Sequence, residues 1–348
     1  MKKTENIIVG ISVGDLNGIG SEIILKTFED PQMLELCTPV IFANVKLFSF
    51  AKKAFETSAQ LHGIDDLDQI LPGRINVLNL WKENTIVEYG VVNEISGKYA
   101  VKSFVAAVDA LKNNLIDVLV TAPINKNNVQ SEEFKFPGHT DYLNQEIEGD
   151  ALMLMVQDNL RVGLLTDHLP VSNVAKALTE ALIIQKVTTV KNTLIKDFGV
   201  RRPKIAVLGL NPHCGDGGVI GKEDDEIIKP TIKKMFEKGT LVFGPYAADG
   251  FFGSNQYENF DAVIATYHDQ GLIPFKTLSF GNGVNYTAGL AKIRTSPDHG
   301  TAHDIAGKGI ANFNSFREAV YLAIDVFRSR LEYEQISENP LKTKEKHL

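Results

Sequence analysis

The sequence is short of cysteine, of positive charge and of long apolar runs. Two cysteines, Cys37 and Cys214, in 348 residues are too few for a disulfide framework, so a reducing, cytoplasmic setting is expected. The formal net charge is -7. A mildly acidic chain has no electrostatic footprint for nucleic acid or anionic membrane, although a local basic cleft for an anionic metabolite remains compatible with it. No apolar run approaches the ~18 residues that span a bilayer. The opening "MKKTENIIVGISVGD" carries Glu5 and Asn6 ahead of its apolar run and no small-residue cleavage site, so it reads as a strand leading into glycine rather than as a leader. Internal repeats and low-complexity stretches are absent. The dinucleotide fingerprint G-x-G-x-x-G is missing too: "GDLNGIG" and "GLNPHCGDGGVIGKEDDEII" are spaced differently, so a Rossmann domain is not expected.

What remains is ordinary globular composition, 44% hydrophobic and 23% charged, long enough for two domains. The chain repeats an order of apolar strand, polar loop and amphipathic helix. Residues 7–13, 117–120, 162–166, 205–210 and 261–266 read as short buried strands. Residues 21–28 read as a helix with Glu22 in its first turn. Residues 99–112 read as another, with Val101, Phe104, Val105, Val108 and Leu111 on one face. Alternating strands and helices predict βαβ units and a mostly parallel sheet. From about Glu332 the chain is charged and poor in apolar residues, which predicts a solvated end.

Three of the eight histidines follow predicted strand ends: His168 in "LLTDH", His213 in "VLGLNPH" and His268 in "VIATYH". Ligands bind at the carboxyl ends of strands in parallel sheets. Three neutral imidazoles with an open fourth position form a divalent-metal site. Asp167, Asp216 and Asp269 are near enough in sequence to orient the rings. One such histidine alone is better read as a polar plug at a strand end; three in one topological position favour the metal. Cys214 is better read as a small buried thiol than as a fourth donor.

Other polar segments add candidates. "KFPGHTDYL" puts His139 and Thr140 in a predicted loop, where they offer hydrogen bonds and, with His139 protonated, a cation for an anionic substrate. Gly217, Gly218 and Gly221 could bring backbone N–H groups to an anion ahead of a helix near Glu223. The stretch from Leu278 to Phe313 is dense in glycine and in polar groups, among them Asn285, Arg294, Asp298, His299, His303 and Asp304. A segment of this kind is functional or disordered, and the apolar run 288–293 argues for order.

Taken together, "GDLNGIGSEI", "VTAPINK", "FPGHTDYL", "LLTDHLP", "GLNPHCGDGGVIGKED", "GPYAADGFF", "ATYHDQGLIPFK" and "IRTSPDHGTAHDIAGKG" resemble, in order and over nearly the whole chain, the 4-hydroxythreonine-4-phosphate dehydrogenase family. The resemblance implies an isocitrate/isopropylmalate dehydrogenase-like two-domain α/β fold, with mostly parallel sheets and the active site in the interdomain cleft. Residues 1–127 plus 276–335 would form a discontinuous cofactor-side domain, 128–275 a central domain carrying the metal histidines and the dimer interface, and 336–348 a polar tail. It implies a divalent metal (Zn, Mg, Co or Mn) on His168, His213 and His268, and substrate contacts from His139, Thr140, Lys276, Asn285 and Arg294. "DHGTAHDIAGKGIANF" is similar to the cofactor loop of the isocitrate and isopropylmalate dehydrogenases. That implies NAD or NADP held by Asp298, His299, Gly300, Thr301, Ala302 and Asp304, without a G-x-G-x-x-G.

The implied reaction is metal-dependent, NAD-linked oxidation of 4-phosphohydroxy-L-threonine at C3. Decarboxylation to 3-amino-2-oxopropyl phosphate follows, with Lys276 or Asp249 as the base. A homodimer sharing its site between subunits is implied as well. The scaffold also suits dehydrogenases of 4-phospho-threonate or 4-phospho-erythronate. A metal-dependent hydrolase fits worse, because "HGTAHDIAGKG" would then have no purpose. Two departures stand out: "VGDLNGIGSE" lacks the family's proline pair, and His303 stands where an apolar residue or proline is usual.

Overall fold

The structure, a computed structural model, describes residues 6–131, 134–136 and 138–339. The first five residues of the opening stretch and 340–348 of the expected polar tail lie outside the described residues. In chain order the strands are β1 (Ile8–Ser12), β2 (Thr38–Ala43), β3 (Leu61–Ile64), β4 (Ile75–Asn79), β5 (Val118–Thr121), β6 (Gly149–Gln157), β7 (Leu160–Leu164), β8 (Ile205–Leu208), β9 (Val242–Tyr246), β10 (Ala262–Ala265), β11 (Val284–Leu290) and β12 (Arg294–Pro297). They form one twelve-stranded sheet in the order β3-β4-β2-β1-β5-β12-β11-β6-β7-β10-β8-β9.

The sheet is mostly parallel, as expected. β5, β8 and β10 are buried at every position, which is why they read as unbroken apolar runs: parallel strands are covered on both faces. The exceptions sit in the middle. β11 is antiparallel to both β12 and β6, and β6 is antiparallel to β7. These three reversals make the parallel set β7-β10-β8-β9 run opposite to β3-β4-β2-β1-β5-β12. The centre of the sheet therefore joins two parallel sets.

Helices cover the sheet. Glu94–Lys112 begins at Asn93, whose side chain accepts from the Ser96 N–H, a cap of the usual chemistry. Phe104, Val108 and Leu111 are buried, whereas Val101 and Val105 of the expected face are only partly covered. Gly97 lets this helix approach the loop after β5: a Cβ there would lie 2.0 Å from the Asn128 carbonyl oxygen. The last helix, Asn314–Ser337, runs through the start of the expected solvated end, where Glu332 and residues 334–339 are exposed.

Candidate active site

A cavity of about 310 Å³ lies against one face of the central strands. The register places Met155, Asn285 and Ser296 side by side on β6, β11 and β12, and all three line it. Because side chains alternate along a strand, Met153 and Arg294 fall on the same face and line it as well. Thr121 closes β5. Lys276 and Leu272 come from the helix His268–Ser279.

One end of the cavity is built around Arg294. Its side chain is buried, and its partners among the described residues are all neutral. Nε and Nη2 donate to Thr121 Oγ1 at 3.1 and 2.6 Å, Nη1 donates to Thr287 Oγ1 at 3.1 Å, and Nη2 donates to His139 Nδ1 at 3.0 Å. Burial without a carboxylate pushes the guanidinium down to about 9, because a desolvated charge is costly when nothing opposite offsets it. His139 packs against Phe104, ring centroids 4.4 Å apart. Burial, then the charges of Arg294 and Lys126, hold its imidazole well below the usual histidine range. Of the two roles expected for His139, this disfavours the cation and leaves the hydrogen-bonding group. This histidine also opens the helix His139–Glu146 rather than lying in a loop. Gly138, in extended backbone, ends the preceding chain there, with no side-chain cap for a sequence reading to find.

Three sealed polar atoms that line this cavity have no partner among the described residues: His139 Nε2, Asn285 Oδ1 and His299 Nε2. Buried polar groups are ordinarily paired, so their gathering in one cavity marks a ligand site. Thr140 lines it too, and Lys276 Nζ donates to the Asp298 carbonyl at 3.0 Å from its rim.

At the other end stand His168 and His268, ring centroids 5.9 Å apart. His268 Nδ1 lies 2.8 Å from Asp269 Oδ1, the orienting contact expected for a ligating ring. Asp167 lines the cavity and accepts from the His168 backbone N–H. The expected convergence of three imidazoles is met by these two within the chain. His213 is exposed and outside the cavity lining, and among the described residues no group of three His, Cys, Asp or Glu is arranged to hold a metal ion. Residues 213–217, which follow β8, all have positive φ, a left-handed run that the spacing from the strand could not foretell. Gly217 and Gly218 belong to this run and its exit, and they too lie outside the cavity. Cys214 is half-buried, with burial pushing its thiol up. Asp249, on the helix Ala248–Gly253, is exposed and outside the lining.

The expected cofactor segment divides in two. Asp298, His299 and Gly300 line the cavity. Thr301, Ala302, His303 and Asp304 turn away toward the "GDLNGIG" loop. The Ile19 N–H donates to the Thr301 carbonyl at 3.1 Å, and a Cβ on Gly18 would sit 2.8 Å from that same oxygen. His303 Nδ1 is 3.0 Å from Thr301 Oγ1, and its Nε2 is 3.6 Å from the buried Asp15 carboxylate. Further along, Lys26 and Glu22 clamp the segment: Lys26 donates to the Gly309 carbonyl and Glu22 accepts from the Ala311 N–H, each at 2.8 Å. Sequence reasoning missed Thr121, Lys126 and Ser296, all in the lining. "VTAPINK" was the available signal for the first two.

The family described as pyridoxal phosphate biosynthetic protein PdxA matches residues 35–323. The chain is similar to a 4-hydroxythreonine-4-phosphate dehydrogenase of Bacteroides thetaiotaomicron, 48% identical over 338 residues, covering 97% of this chain and 93% of that protein. A protein of the same name from Sulfurihydrogenibium sp. is 40% identical, covering 92% and 99%. The crystal structure of 4-hydroxythreonine-4-phosphate dehydrogenase from Klebsiella pneumoniae superposes with a TM-score of 0.80 at 32% identity, covering 94% of this chain and 99% of that one. By sequence along most of its length, and by fold, the chain belongs to the pyridoxal phosphate biosynthetic protein PdxA family.

Proposed function

We propose that the chain oxidises 4-phosphohydroxy-L-threonine at C3 with NAD or NADP, the product losing CO2 to give 3-amino-2-oxopropyl phosphate in pyridoxal phosphate biosynthesis. One observation supports this most: among the described residues, a buried arginine with no carboxylate partner shares a cavity with three unpartnered polar atoms. Such a cavity suits a substrate bearing phosphate and carboxylate groups. Arg294, His139, Thr140 and Asn285 would bind and orient that substrate. Lys276 lines the cavity and Asp249 does not, which supports Lys276 as the group that takes the hydroxyl proton.

Hydride acceptance is the chemistry a bound nicotinamide would supply. Asp298, His299 and Gly300 are the residues to hold its reactive end, with the sealed His299 Nε2 in want of a partner. Residues 301–304 would carry the contact on toward Gly18. His168 and His268 make two donors for a divalent metal, one short of the expected set. A homodimer in which His213 comes from the second copy would supply the third.

The test is the absorbance of reduced nicotinamide formed with 4-phosphohydroxy-L-threonine, 4-phospho-threonate and 4-phospho-erythronate, with and without chelator. The reading predicts fastest formation with the first and its loss on chelation. Preference for one of the other two moves the assignment to a related dehydrogenase. No reduced nicotinamide with any of them refutes it.

A further inference from the structure

Arg294 does more to the cavity than offer a charge. An arginine has five N–H donors and no acceptor, so in the 3.0 Å contact between Nη2 and His139 Nδ1 the guanidinium must donate and the imidazole nitrogen must accept. The proton of a neutral ring then sits on Nε2, the sealed atom with no partner among the described residues. The orientation of Arg294 is set in turn by Thr121. Its hydroxyl oxygen is fully buried and takes both Nε–H and one Nη2–H, at 3.1 and 2.6 Å. Thr121 Oγ1 is itself 3.5 Å from Nδ1, too far to compete with the guanidinium. Phe104 holds the other side of the ring.

We propose that Thr121 and Arg294 lock His139 as a neutral Nε2–H donor to an oxygen of the bound substrate, with Thr121 the positioning residue. The inference rests on the reading that the cavity seats an anionic substrate. It assigns His139 the role of hydrogen-bond donor and takes from it the roles of cation and general base. The burial of the ring and the charges of Arg294 and Lys126, which disfavour its protonation, agree with the hydrogen-bond geometry.

The experiment is two-bond 1H–15N spectroscopy of histidine-labelled full-length protein at neutral pH, with His139 assigned through its loss in His139→Gln. One bare and one protonated nitrogen are expected, in the pattern of the Nε2–H tautomer. Inorganic phosphate should shift the protonated nitrogen and leave the bare one in place. A charged ring, or the Nδ1–H pattern, overturns the inference even if turnover is normal. In Thr121→Val the His139 signals should become a mixture of tautomers. KM for 4-phosphohydroxy-L-threonine should rise about tenfold with kcat within about threefold, the effect of weakening one charge-assisted hydrogen bond. Thr121→Ser should restore both. An unchanged tautomer in Thr121→Val overturns the positioning role. If the wild-type protein keeps the tautomer and the phosphate response but does not oxidise the phosphorylated threonine, the inference stands and the substrate assignment falls.

Discussion

Arg294 and Arg330 are both buried, 3% and 7% exposed, and the fold treats them in opposite ways. Arg330 meets its counter-ion inside the protein: Nε and Nη2 donate to the two oxygens of Asp197 at 2.7 and 3.2 Å. It also donates to the Tyr286 hydroxyl and to the carbonyls of Leu290 and Ala291. Burial works against its charge, but Tyr286 and Asp197 outweigh burial and hold the guanidinium above its usual range. This network ties the last helix to β11. Arg294 sits on the neighbouring strand and, among the described residues, has only hydroxyls and an imidazole for partners. A buried cation whose counter-ion belongs to the chain is part of the fold. One left with neutral partners is held ready for an anion that arrives with the ligand.

The comparison can be broken most forcefully at Asp197. Replacing it by alanine leaves Arg330 buried and uncompensated, so Asp197→Ala should lose about 3–5 kcal/mol in chemical denaturation; a loss under about 1 kcal/mol would erase the distinction. The next effect comes from His139. Its folded pKa is depressed, so the unfolded chain binds more protons below about pH 6.5, and stability must fall as pH drops through that value. The slope is at most about 1.4 kcal/mol per pH unit. Denaturation curves at pH 7 and pH 5.5 should show a smaller acid loss in His139→Gln than in the wild type. Equal losses would mean that the ring takes up its proton normally in the folded protein. The smallest effect is at Arg294 itself. Arg294→Met removes a charge that lacks a counter-ion, so stability should hold or rise by about 1 kcal/mol. A loss as large as that at Asp197 would make Arg294 a structural residue.

The two arginines also show what the sequence could disclose. The strands β5, β8 and β10 were legible because double-sided burial leaves unbroken apolar runs, and the histidines near the ends of β7, β8 and β10 followed from strand topology. Arg294 was picked out by its motif. That it is buried without a carboxylate was not legible, because its partners come from Thr121, 173 positions away, and His139, 155 positions away. Thr121 reads in sequence as one more β-branched strand residue. His213 is a different case. The strand before it was found, but His213, Cys214 and Asp216 adopt left-handed backbone, which few non-glycine residues do. Within the chain the imidazole lies outside the cavity that His168 and His268 line. The antiparallel centre was hidden as well: β6 and β11 mix Asp150, Asn285 and Thr287 with apolar residues, so neither stands out as an unbroken run.

Calorimetric titration of 4-phosphohydroxy-L-threonine into the wild-type protein and into Arg294→Met tests the central claim most directly. If Arg294 is the anion's seat, the wild type binds and the variant, still folded, binds at least about a hundredfold more weakly, as expected when a buried charge-assisted contact is removed. Equal affinity in the two proteins would contradict the account, because Arg294, the one buried cation lining the cavity among the described residues, would then have no part in holding the substrate.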